Sequence, residues 1–238
     1  MDRFVPYQAM NRRVNQSLPS RTYHAPRRTA AAAETRQAIL RAAKEEFEAR
    51  GWAATTVRSI AVSADVSPKT VEALFATKAA LLEETLLTAL RGHAANSDTT
   101  DVPWPEAVLE LRGDAAREIE EAPDAATMLG LHAALVSEIN ARAAGICWAV
   151  ETAVLSDKRL TEIWERLTEA QLFALRYWAK ILVRKPGVRA DLTEREAEET
   201  LLTATDWNTY RTLTTKGEMR PEMVEAWVTR YYRRMLLA

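Results

Sequence analysis

Ser67, Lys69 and Thr70 follow closely on one another at the start of a short segment, and their side chains suit a nucleic acid better than a reaction. A lysine ammonium reaches the acceptors of guanine, and a threonine offers a methyl group to thymine or a hydroxyl to phosphate. No comparable grouping points to catalysis. His24, His93 and His132 are isolated from one another, and Cys147 is the only cysteine, with no obvious base beside it. There is no GxSxG elbow, no HExxH pair, and neither a P-loop nor GxGxxG among the seven dispersed glycines. The many carboxylates, as in residues 194–199, lie beside basic neighbours in the manner of a solvated helix face. The sequence therefore predicts no enzyme: no catalytic residues, no metal site and no cofactor.

Residues that act together need elements that present them together. Only 7 Gly and 9 Pro in 238 residues leave little chemistry for the tight turns of an all-β fold, while Ala, Leu, Glu and Arg favour helix. The fold class predicted is all-α. Ile39, Ala43 and Phe47 recur four apart with Arg41, Lys44, Glu45 and Glu48 on the other face, and Gly51 ends that helix as a left-handed cap, with Trp52 as its hydrophobic contact. Thr56 is the N-cap of a very short helix through Val57, Ile60 and Ala61 that closes at Ala64 and Asp65. Ser67 followed by Pro68 is N-cap plus first-turn proline for a second short helix. Thr77 caps a third, with the stripe Leu81, Leu82, Leu86, Leu90. Two short helices across a three-residue turn, braced by longer ones, form a helix-turn-helix.

Residues 35–82, with Ile39, Ala43, Phe47, Gly51, Thr56, Val57, Ile60, Ala61, Val66, Ser67, Phe75, Lys78 and Leu82, resemble the DNA-binding domain of the TetR family of bacterial transcriptional regulators. The resemblance implies that Thr56 and Arg58 sit where the first short helix crosses the DNA backbone and that Lys78 meets a phosphate. It also implies a homodimer on a palindromic operator and a C-terminal domain for dimerisation and ligand binding. This chain departs from the family at three places. Asp65 replaces the turn glycine, Glu72 stands where an aromatic phosphate contact is usual, and Leu74 where a basic or polar residue is usual. Glu72 would repel phosphate unless it accepts from a cytosine amino group.

Net charge is −1, so no global field announces a polyanion, but its distribution is uneven. Residues 1–33 carry six arginines against Asp2, which leaves the remainder acidic. Their lack of periodicity predicts a flexible basic arm, in which Arg27 and Arg28, nearest the ordered part, would lie along DNA. The domains expected are this arm at 1–33, a helix-turn-helix domain at 34–80, and a helical ligand-binding and dimerisation domain at 81–238. A lone cysteine fits a reducing cytoplasm, and no apolar run reaches the ~18 residues of a membrane span, so no membrane partner is expected.

The remainder continues in helical period. Pro105 is placed to start one helix, Asp124 caps the next, and Thr193 with Glu196 forms a capping box before a helix over 197–213. Pro221 opens the last. The last two helices, with Leu201, Trp207, Trp227 and Val228, are the expected dimer surface. His132 and Arg142 fall on an otherwise apolar stripe, where they would orient a ligand inside a cavity. Arg142 either pairs with Glu138 or Glu151 or points into a polar spot of a cavity. Six of the seven tryptophans lie beyond residue 100, and Trp164 and Trp178 either wall a cavity for a small apolar or aromatic effector or fill a plain core. The function expected is a DNA-binding repressor released by such a ligand. The alternative is a DNA-organising or protein-interaction module of the same fold without an effector.

Overall fold

The computed structural model describes residues 25–92 and 113–238. Among them the chain is α-helical without a β-strand. The helices are α1 (Ala25–Ala54), α2 (Val57–Ser63), α3 (Pro68–Leu74), α4 (Lys78–Arg91), α5 (Gly113–Glu121), α6 (Ala125–Glu151), α7 (Lys158–Leu182), α8 (Glu194–Thr205), α9 (Trp207–Arg211) and α10 (Pro221–Leu236). The start expected at Pro105 lies outside the described residues, as do His24, His93 and Trp104.

The described residues fall into two units that divide between Thr35 and Arg36. In the first, helix is present from Ala25, inside the stretch read as aperiodic. Ala30–33 is a run of the strongest helix former, which carries no amphipathic period for a pattern to reveal. Thr35 Oγ1 donates to the Ala31 carbonyl at 2.9 Å.

In the second unit the three-helix head and the body share one core. Ile39, Ala43 and Phe47 of α1 are buried with Ile60 and Ala61 of α2, Val71 of α3 and Leu81, Leu82 and Leu86 of α4. α6 is the central body helix, packed against α4, α5, α9 and α10, while α8 packs on α7 and α10. α4 belongs to both halves. Its Glu83 accepts from Arg159 at 2.8 Å and from Arg166 at 2.7 Å on α7, and Glu84 pairs with Arg36 of α1.

The expected caps close their helices. Thr56, Ser67, Thr77, Asp124 and Thr193 each accept a backbone N–H of the following turn, and Pro221 opens α10. Gly51 has φ 70° and ψ 179°, so its φ is positive as expected but its ψ is extended, and helical geometry resumes briefly after it. The helix expected over 197–213 is divided. Asp206 leaves helical geometry, and its carboxylate accepts from the N–H groups of Asn208 and Thr209, so a second N-cap interrupts the run. The dimer surface also needs correction. Leu201 and Val228 are each 1% exposed and Trp207 is 7% exposed, so all three fill the chain's own core.

Candidate nucleic-acid interface

The geometry of the head follows from its caps. Thr56 and Ser59 exchange hydrogen bonds at 3.0 and 3.1 Å, a capping box that fixes the start of α2. Asp65 occupies the left-handed region at φ 53°, where a short polar side chain is tolerated, and it turns the chain from α2 into α3. Ser67 Oγ accepts from Thr70 N at 3.1 Å and lies 2.8 Å from Thr70 Oγ1. Both hydroxyls are therefore engaged in the cap. Lys69 and Arg58 are exposed, and Thr70 is half-buried.

Lys78 is placed differently. Its Nζ donates to the carbonyls of Trp52 at 2.6 Å and Thr55 at 2.9 Å, and it lies 3.9 Å from the centre of the Trp52 ring, which itself stacks on Phe47. Burial lowers the pKa of this ammonium, against the raising influence of Asp157. Lys78 thus satisfies carbonyls near the broken end of α1, within the chain. Arg36, unremarked in the sequence, has a similar part. It lies 4.6 Å from the centre of the Phe75 ring, pairs with Glu84, and so braces the end of α3 against α1 and α4. Only the folded arrangement joins residues so far apart, so spacing gave no signal for it. Arg27 and Arg28 lie on the backbone of α1, and their side chains fall outside the described residues.

Residues 39–85 match the family model for bacterial regulatory proteins of the tetR family. Solved structures extend the likeness over the body. NalD, the secondary repressor of the MexAB-OprM multidrug efflux pump in Pseudomonas aeruginosa, is 20% identical with a TM-score of 0.58, covering 87% of this chain and 98% of its own. The match to the family model is confined to the head, and over its length the chain shares the fold of such structures. A protein of Saccharomonospora viridis in complex with choline has a TM-score of 0.61 at 15% identity, covering 87% of this chain and 99% of its own. A TetR transcription regulator of Haloarcula marismortui has a TM-score of 0.56 at 17% identity, covering 86% and 99%. No curated protein matches the sequence.

In the body, the four residues expected around a ligand fall in three places. His132 and Trp178 come together: His132 is buried, with Nδ1 3.0 Å from the Tyr232 hydroxyl, and its ring meets Trp178 edge-on at 6.2 Å. Burial raises the pKa of the Tyr232 phenol. Trp164 packs edge-on against Trp207 at 5.2 Å and lines an open groove along α7 with Thr168, Leu172 and Arg176. Arg142 takes the ion-pair option with Glu138, and its Nε donates to the Ala89 carbonyl at 3.2 Å in the last turn of α4. That position places a cation where the helix dipole is negative. Among the described residues, no helix is long and apolar enough to cross a membrane.

Proposed function

We propose that the protein is a sequence-specific DNA-binding regulator, acting in the cytoplasm as a homodimeric repressor on a palindromic operator. The observation that carries this reading is the capped α2–turn–α3 unit, with Lys69 and Arg58 projecting from it into solvent and Ser67 and Thr70 at the start of α3. Lys69 reads guanine, Thr70 touches a thymine methyl or a phosphate, and Thr56 and Arg58 follow the DNA backbone. Lys78 acts in this reading by setting the head's shape, through the Trp52 and Thr55 carbonyls and the Trp52 ring. Arg27 and Arg28 add sequence-independent affinity. The NalD likeness supports the repressor role.

A dimer needs an outward surface, and α10 provides one. Val224, Val228, Tyr232 and Leu236 face the core, while Met223, Trp227, Tyr231 and Met235 form a second stripe four residues apart. Met223 is 47% and Met235 44% exposed, and Trp227 stacks on Tyr231 with ring centres 5.4 Å apart. We assign the two-fold contact to this outer stripe, which an isologous partner would cover.

The effector is proposed as a small apolar or aromatic molecule received by the body; the choline in the complex of the S. viridis protein is itself a cation, and supports a small-molecule ligand for this fold but not that chemical class. The internal partners of His132, Arg142 and Trp178 favour the competing reading, a regulator of this fold without an effector. A selection from randomised duplexes tests the DNA reading: an enriched palindrome supports it, and enrichment of no motif overturns it. Titration of a bound ligand with and without operator tests the effector, since coupling must act equally in both directions.

A further inference from the structure

The helix proposed to enter the groove carries a carboxylate on its solvent side. Lys69 and Glu72 are the charged residues of α3; both are exposed, and neither has an ion-pair or hydrogen-bond partner among the described residues. Ala73, also exposed, offers no side chain to hold Glu72 aside. Residues 36–85 contain seven basic and seven acidic residues, so the head has no surplus of cations to offset the repulsion between Glu72 and phosphate. An ionised carboxylate only accepts hydrogen bonds. In the major groove the base-edge donors are the N4 amino group of cytosine and the N6 amino group of adenine. Adenine sets its N7 acceptor beside that donor, against the second carboxylate oxygen, whereas cytosine presents a C–H there.

We propose that Glu72 is a specificity-determining residue that selects cytosine within each operator half-site. The inference rests on the DNA-binding reading above and adds a base preference to it. Glu72 lowers affinity for DNA in general, and a correctly placed cytosine restores it. The carboxylate therefore acts mostly by rejecting other sequences.

The test is a selection from randomised duplexes with the full-length protein, Glu72→Ala and Glu72→Gln, followed by titration of the enriched duplex and of single-pair variants. The wild type should return a half-site with one fixed C·G pair. Glu72→Ala should lose about 5- to 30-fold discrimination at that pair alone and bind scrambled duplex more tightly. Glu72→Gln should move the preference to A·T, since an amide pairs with both N6 and N7 of adenine; a purely structural role for Glu72 would produce no such change of base. If both variants return the wild-type motif with the C·G pair intact, the role of Glu72 is overturned and DNA reading stands. If the wild type returns no motif, both fall.

Discussion

Lys69 and Lys78 are nine positions apart and carry the same charge, yet their surroundings separate their effects. Lys78 spends its ammonium on two carbonyls and the face of Trp52, so Lys78→Ala should destabilise the folded protein by about 2 kcal/mol, visible in thermal unfolding without DNA. Lys69 is exposed, and Lys69→Ala should leave unfolding within about 0.5 kcal/mol of wild type while costing roughly 1 to 3 kcal/mol at one operator position. Equal melting temperatures for the two variants would show that the Lys78 contacts contribute nothing in solution. Asp65 tests the turn in the same way. Its φ of 53° is cheap for glycine and costly for a branched side chain, so Asp65→Val should destabilise by about 1 to 2 kcal/mol and Asp65→Gly should not.

At the scale of elements, the capping box of α8 has a pH signature. The Glu196 carboxyl is held at about 2, first by the Thr193 backbone N–H, then by its hydroxyl and by Arg189. A depressed carboxyl adds stability that is complete above its ordinary value of 4.5 and is lost as the pH falls toward 2. Glu196→Gln should therefore melt below wild type at neutral pH, with the two melting temperatures converging through that acid window. A constant difference would assign the loss to packing. The join between α4 and α6 is a second such place. Gly92 has φ 64°, and a Cβ there would lie 2.8 Å from the Arg142 guanidinium carbon. Gly92→Ala should cost about 1 to 3 kcal/mol in thermal unfolding, from the backbone and the displaced arginine together. These two places also mark what sequence discloses. Thr193 with Glu196 was legible because a capping box is a local pattern. So were Thr56, Asp65 and Ser67, and with them the turn that presents Lys69. The strap from Arg142 to Ala89 and the seat of Lys78 were not legible, because each joins residues distant in the chain through backbone carbonyls, which leave no trace in residue type. The division at Asp206 was masked by a continuous apolar period, although an Asp inside that period is itself a cap signal.

For the whole molecule, the outer stripe of α10 makes a prediction that its inner stripe would confuse. Met223→Glu with Met235→Glu alters exposed positions, so the variant should stay helical, sediment as a monomer and bind a palindromic duplex at least tenfold more weakly. A double variant that sediments as a dimer would place the two-fold contact elsewhere. Charge at Leu201 or Val228 would instead break the core. Removal of residues 1–28, Arg27 and Arg28 included, should weaken operator and scrambled duplex alike and flatten the dependence of binding on salt, as expected for lost phosphate contacts. Unchanged affinity at moderate salt would exclude these residues from binding. The even balance of charge in the head then bears on life in a crowded chromosome. A genome offers about a million or more competing sites, and a reader attracted to all of them is titrated away from its own. With seven acids against seven bases, this head itself gains little from random sequence, so attraction to such sites falls to the basic residues that precede it.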